Sequence, residues 1–165
     1  MSRPLNPPAV VFDCMIFLQA TANDESPAAR ALDMVDSGDI KLCVSEQILR
    51  ELRRVLDRSE VRSALPGIND LRVESLFRRL DKRAVMINEV PRVFEYPRDP
   101  NDEPYINLAI AARAEYLVSR DKDLLDLMTA TDFESKQFRQ RFRFLRIIDP
   151  ADLLHEIKRL GAERE

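Results

Sequence analysis

The sequence predicts a single α/β domain, a central, mainly parallel β-sheet flanked by α-helices on both faces. Three observations carry that prediction. Short apolar runs alternate with stretches of helical period along nearly the whole chain. The runs are continuous rather than alternating in polarity, as expected of strands covered on both faces. The chain has 165 residues, 45% hydrophobic and 33% charged, which is enough to bury one core. Residues 9–156 are assigned to this domain, with residues 1–8 and 157–165 as tails. Right-handed crossovers between parallel strands place the helices on both faces.

The first strand is Ala9-Val10-Val11-Phe12, an unbroken apolar run ending at Asp13. Ser26-Pro27 opens a helix, with serine as N-cap and proline at the first helical position. Ala28, Ala31, Leu32 and Val35 face inward, and the helix stops near Ser37-Gly38. Leu42-Cys43-Val44 is the second strand, and Ser45 caps a helix whose Ile48, Leu49, Leu52, Val55 and Leu56 share a stripe. Pro66-Gly67 breaks the chain before a helical period from Leu71 to Leu80. Ala84-Val85-Met86-Ile87 is the third strand. Pro91, Pro97, Pro100 and Pro104 mark an ordered loop that ends in the helix start Asp102-Glu103-Pro104. The next helix, dense in Ile106, Leu108, Ala109, Ile110 and Ala112, belongs deep in the core. Leu117-Val118-Ser119 is the fourth strand and Leu124 to Met128 a helix. Thr129 to Arg141 is a variable polar stretch, Phe144 to Ile148 the last strand, and Pro150 opens the terminal helix.

Composition closes off several functions. Three glycines, none in a G-x-G-x-x-G or G-K-[ST] pattern, exclude the usual nucleotide-cradling loops. His155 is the one histidine, which rules out catalysis by a histidine pair and argues against a His-rich zinc site. No G-x-S-x-G elbow accompanies it. Cys14 and Cys43 fall inside apolar strand candidates without metal-ligand spacing and read as small buried hydrophobes in a reducing compartment. No apolar run approaches the ~20 residues that span a bilayer, and the first residues lack the apolar core of a secretion signal. The expectation is a cytoplasmic protein away from membranes. A formal net charge of −3 excludes a strongly basic nucleic-acid-coating protein and leaves local basic patches open.

The chemistry lies in the acids. In open parallel sheets functional groups gather beyond the carboxyl ends of the central strands. Asp13 follows the first strand and Asp121 the fourth, so both project at one sheet edge if those strands are neighbours. Asp102, at the start of the apolar helix, can reach the same edge or serve simply as that helix's cap. Glu51 sits at the border of the stripe formed by Ile48, Leu52 and Val55, a position that suits a pocket or an ordinary border residue. Carboxylates ~4 Å apart repel by several kcal/mol at intermediate dielectric. Raised pKa values, an arginine or a hard divalent ion relieves that repulsion. An all-oxygen donor set points to Mg2+ or Mn2+, and such an ion suits phosphodiester hydrolysis.

These residues resemble the PIN-domain family, of the type found as VapC-like toxin ribonucleases in prokaryotic toxin–antitoxin systems. The resemblance runs through Val10-Val11-Phe12-Asp13, Ser45-Glu46-Gln47-Ile48-Leu49-Arg50-Glu51-Leu52, Arg98-Asp99-Pro100-Asn101-Asp102 and Leu117-Val118-Ser119-Arg120-Asp121-Lys122-Asp123. It closes on Ile148-Asp149-Pro150-Ala151-Asp152-Leu153-Leu154. It implies a metal held by Asp13, Glu51, Asp102 and Asp121, with Asp123 as an outer ligand and Ser119 orienting a carboxylate or water. It further implies an RNA substrate cleaved by a metal-activated water, a homodimer, and a cognate antitoxin protein that blocks the acidic pocket.

One departure stands out. The family's first motif usually continues aspartate, any residue, asparagine, and here it reads Asp13-Cys14-Met15. Methionine offers no amide donor or acceptor, so a catalytically weak PIN module that binds RNA or a protein partner is the alternative reading. Arg50, Arg53, Arg54, Arg58 and Arg62 form one basic cluster, and Lys136, Arg139, Arg141, Arg143 and Arg146 another. Each reads either as a solvated face or as an RNA-facing rim, the second interleaved with Phe133, Phe138, Phe142 and Phe144.

Overall fold

The computed structural model describes residues 6–163, so parts of both expected tails, residues 1–5 and 164–165, lie outside the described residues. The strands are β1 (Ala9–Phe12), β2 (Lys41–Val44), β3 (Val85–Met86), β4 (Tyr116–Val118) and β5 (Arg146–Ile148). The helices are α1 (Cys14–Ala22), α2 (Pro27–Ser37), α3 (Glu46–Leu56), α4 (Ser59–Ala64), α5 (Asp70–Arg83), α6 (Glu103–Ala111), α7 (Lys122–Thr129), α8 (Phe133–Arg141) and α9 (Pro150–Glu163). The strands form one five-stranded sheet in the order β3-β2-β1-β4-β5. Every pairing is parallel. The fold class is as the apolar runs foretell. Among the described residues no helix is long and apolar enough to cross a membrane.

The period of two along the strands divides the core into two layers. Val10 and Phe12 of β1, Leu42 and Val44 of β2, and Tyr116 and Val118 of β4 point to the layer shared with α1, α2 and α5. Val11, Cys43 and Leu117 point to the other, with Ile106, Leu108 and Ala109 of α6, Leu124 and Leu127 of α7, and Phe138 of α8. α3 contributes to both, through Leu52 and Leu56 on one side and Ile48 on the other. The edge strand β3 has only two residues, and its Val85 and Met86 are exposed.

Three stretches differ from the expectation: α4 (Ser59–Ala64) lies where no element is expected, and the other two differ for one shared physical reason. Cys14 lies not in a strand but at the first position of α1, which the Asp13 carboxylate starts by accepting from the Ile16 N–H. Ile16, Phe17, Leu18, Ala20 and Thr21 are all buried, so α1 carries no polar face and its sequence shows no period. Thr129 to Arg141 contains α8, capped by Asp132, and there nearly everything except Ser135 and Phe138 faces outward. A helix apolar all round and a helix polar all round both hide from a search for stripes. Gly67 sits where the chain passes α1, and a Cβ there would collide with the Ala22 carbonyl.

The proline-rich segment before α6 is an ordered loop, and α6 itself holds it. The Asn107 amide accepts from the Val93 and Phe94 N–H groups and donates to the Phe94 carbonyl. Glu103 accepts from the Tyr96 N–H and pairs with Arg92. Phe94 and Tyr96 are buried, and the Tyr96 hydroxyl donates to the Asp123 carbonyl at 2.7 Å. Residues 96–102 are thereby tied to the beginning of α7.

Candidate metal centre

β1 and β4 are neighbours, with Phe12 beside Val118. The residues that follow them, Asp13 and Ser119, therefore emerge side by side at the carboxyl edge of the sheet. The backbone fixes both: the Asp13 N–H donates to the Val118 carbonyl at 3.1 Å and the Ser119 N–H to the Ile148 carbonyl at 2.9 Å. The Ser119 hydroxyl donates to Asp13 Oδ2 and accepts from the Asp121 N–H at 2.9 Å. Ser119 is fully buried and joins the first acid to the turn that carries the next one.

Asp13 is 4% exposed. Burial pushes its carboxyl up to about 6, against the pull of the Ser119 hydroxyl and the Ile16 N–H, and the Asp121 charge pushes the same way. Asp121 caps α7, accepting from the Asp123 N–H at 2.8 Å. Asp102 occupies the capping position of α6 but makes no capping bond. Its Oδ2 is buried and no protein donor reaches it. Burial is again the first cause of its shift, followed by the neighbouring Asp99 carboxyl and the charges of Asp121, Asp99 and Asp13, and the group rises to about 8. A capping role for Asp102 is thus excluded by its geometry, and its free oxygen stands among like charges.

Asp99 is the acid that reading the sequence passed over. The Asp102 N–H donates to the Asp99 carbonyl at 3.1 Å, closing a turn that brings the two side chains together. Oxygens of Asp99, Asp121 and Asp123 all lie within 4.8 Å of one another. The signal was present in Asp99-Pro100-Asn101-Asp102, since Asp, Pro and Asn are turn formers and an i, i+3 pair of acids converges in such a turn. Arg98, also missed, places its guanidinium 2.9 Å from Asp123 Oδ1 and 3.1 Å from Asp126 Oδ2.

The structure brings Asp13, Asp102, Asp121 and Asp123 to one edge, with Ser119 beneath them. Glu51 stands apart. It is half-buried on α3 and forms no hydrogen bond or ion pair among the described residues. Its charge, like that of Asp13, acts on Cys14 and Tyr105, whose thiol and phenol are raised chiefly by burial, the thiol to about 11. The Tyr105 ring is buried, and its hydroxyl has no hydrogen-bond partner among the described residues. Met15, two residues beyond Asp13, is 48% exposed. His155 is exposed on α9.

The donor set fits a hard divalent cation. All candidate ligands are carboxylate oxygens, one of them buried without a donor, and two of the acids are driven toward protonation, chiefly by burial and further by the like charges beside them. A separate cavity of about 480 Å³ lies between α3, α5 and β3, lined by Arg53, Glu74 and Phe77 among others, and contains none of these acids.

Each basic cluster holds paired and unpaired cations. Arg50 pairs with Glu46, Arg53 pairs with Glu74 and lies over the Phe77 ring, and Arg62 pairs with Asp57 and Asp70, while the exposed Arg54 and Arg58 form no ion pair among the described residues. In the second cluster Arg146 pairs with Glu156 and Arg141 lies over Phe142. Lys136, Arg139 and Arg143 form no ion pair among the described residues, and together with Gln140 they line an open cleft of about 340 Å³.

A family model described as PIN domain matches residues 9–123, more than half of the chain. The chain is also 25% identical over 150 residues to the uncharacterized protein MJ1680 of Methanocaldococcus jannaschii, covering 91% of this chain and 92% of that protein.

Proposed function

Since this chain belongs to the PIN-domain family, whose members are nuclease-type hydrolases that bind divalent metals, we propose that it is a metal-dependent endoribonuclease. The observation that carries this reading is the acidic edge itself, where Asp102 has a buried oxygen without a donor beside Asp13, Asp99 and Asp121. Asp13, Asp102 and Asp121 would hold Mg2+ or Mn2+, with Asp99 and Asp123 beside them and Glu51 approaching from α3. A divalent cation there supplies Lewis-acid polarisation of a phosphodiester oxygen and a lowered pKa for an adjacent water. The chain's own groups do the rest. Ser119 fixes the Asp13 carboxylate, the Asp99–Asp102 turn presents two acids from the loop, and their negative charge readies the edge for a cation that in turn tolerates an anionic substrate.

The test uses purified protein and an RNA pool with Mn2+, with Mg2+ and with chelator. Cleavage should require the metal and be lost in both Asp13→Asn and Asp102→Asn. Full activity in those variants would mean a contaminating nuclease and sink the assignment.

The finer role we propose is that of a VapC-like toxin acting in the cytoplasm as a homodimer, held in check by a cognate antitoxin protein. It rests on the order of the motifs around Asp13, Glu51, Asp102 and Asp121. Growth arrest on induced expression, relieved by a small protein encoded next to it, is the expected outcome, and unhindered growth counts against a toxin. Met15 favours a second reading, a catalytically weak module that binds RNA or a protein partner. An exposed thioether at the rim cannot position a water or phosphate as an amide does. Met15→Asn should then raise the cleavage rate, and no gain would remove Met15 as the cause of weak activity.

A further inference from the structure

We propose that the outer face of α8 is a binding surface for single-stranded RNA, with Lys136 and Arg143 holding phosphates and Phe133 stacking a base. The identity of the ligand rests on the ribonuclease reading above; the surface itself rests on four features of the structure.

The first is the cleft lined by Lys136, Arg139, Gln140 and Arg143, in which the charged groups are all cations. In a chain of net charge −3, such a concentration of unpaired positive charge is local and marked. The second is position along the helix. Cations in a last turn offset the helix dipole, which accounts for Arg141 and Arg139, and Arg139 also donates to the Leu127 carbonyl at 2.8 Å. That explanation fails for Lys136, near the N-terminal end of α8 where a cation is disfavoured, and for Arg143, beyond its C-terminal end.

The third feature is Phe133, 76% exposed while Phe138 and Phe142 are buried. Phe133, Lys136 and Gln140 follow i, i+3, i+7 spacing and share one stripe. An aromatic face beside a row of cations is the arrangement that binds nucleic-acid strands without regard to sequence. The fourth is direction. The start of α8 lies within reach of the charges beside the acidic edge: the Arg98 charge acts on Asp132, and the Glu134 charge on Tyr96, whose hydroxyl bonds the Asp123 carbonyl. From there the stripe leads outward, and Lys136 to the helix end at Arg141 covers about 7–8 Å at helical rise. An acidic protein segment would satisfy the cations but has no use for an unpaired exposed aromatic at the pocket end, so RNA is the better occupant.

The experiment measures binding of a fluorescent single-stranded RNA to the whole protein in chelator, where no cleavage can occur. Three proteins are compared with the parent: Lys136→Glu/Arg143→Glu, Phe133→Ala, and a charge-matched control on the opposite helices, Arg30→Glu/Lys158→Glu. All altered side chains are exposed, and thermal melting verifies folding. The first variant should lose at least tenfold in affinity and flatten the salt dependence by about 1.4 in log–log slope. Phe133→Ala should lose about fivefold or more, and the control should lose less than either.

Parent-like binding by the double variant, or equal loss in the control, overturns the proposal. So does displacement of the RNA by polyglutamate at lower concentration than by unlabelled RNA, which identifies the face as a protein-binding surface. Metal-dependent cleavage does not enter this readout. RNA binding that depends on α8 in a protein without nuclease activity would sustain the surface while the ribonuclease reading falls, and cleavage without such binding would do the reverse.

Discussion

Among the acids gathered at this edge, Asp13 and Asp102 on the one hand and Asp123 on the other meet the same electrostatic difficulty with different means. Asp123 has an arginine: Arg98 reaches it at 2.9 Å from an exposed position in the loop. Asp13 and Asp102 have no cation partner among the described residues, and both are displaced toward the protonated form, to about 6 and about 8. The side without arginine retains an uncompensated charge that only a proton or an added cation can neutralise. That contrast indicates where a metal gains most from binding, and the variants below test it.

The largest effect belongs to the carboxylates without a counter-charge. Asp13→Asn keeps an oxygen to cap α1 and removes the negative charge. Metal-dependent cleavage should fall about 10³-fold, equivalent to roughly 4 kcal/mol of lost transition-state stabilisation. Asp102→Asn should behave alike, because its side chain caps nothing. A much smaller loss in either variant would show that the cation is held chiefly on the Arg98 side.

Next comes the pH dependence of the metal-free protein. A carboxyl whose folded pKa is raised binds its proton more tightly when folded, so the folded state is favoured at low pH and loses that advantage as pH rises through the folded pKa. For Asp13 the window runs from the ordinary value of 3.8 to about 6, worth about 3 kcal/mol at most. Asp102 extends the same sign of change to about 8. In chelator, stability measured by urea should decline from pH 5 to pH 8.5. The decline should be shallower in Asp13→Asn, and Mn2+ should restore more stability at the upper end than at the lower. A parent and an Asp13→Asn protein with parallel pH profiles would contradict the burial argument.

Much of this arrangement was legible in the residues. Asp13 and Asp121 each end an apolar run, and a parallel sheet brings strand ends to one edge, so their meeting follows from pattern alone. Asp102 was legible as a helix start, but whether it capped or pointed away depended on a backbone angle no pattern encodes. Asp99 was hidden because a turn, not a period, carries it to the others. Arg98 was hidden because its partners lie on α7 and arrive only when Asn107 and Glu103 tie down the loop. α1 and α8 were obscured for the opposite reason, having too little contrast between faces to register as helices. The two basic clusters looked equivalent in sequence. Only the structure separates arginines already paired, such as Arg50 and Arg62, from cations that line an open cleft.

Ser119→Ala comes third in size. Ser119 touches no solvent and acts through Asp13 and the Asp121 N–H, so it is a positioning residue. Its loss should weaken Mn2+ binding about 10- to 100-fold, the range for groups that orient ligands. It should also raise the pH at which binding is half complete, because one of the groups that lowers the Asp13 pKa is gone. A change in stability with unaltered metal affinity would reduce Ser119 to a packing role.

Arg98→Ala has the smallest expected effect and the opposite sign. The arginine is about half exposed, and exposed pairs contribute ~0.2–1 kcal/mol. Without it, Asp123 joins the uncompensated side, and the edge as a whole becomes more attractive to a cation. Mn2+ affinity, read by calorimetry, should rise by a factor of up to about five, with little change in Tm because Tyr96 still fastens the loop to the Asp123 carbonyl. Weaker binding would instead mean that Arg98 works by holding Asp123 in place for the metal, and that the two sides of the edge are one ligand set rather than two solutions to a shared charge.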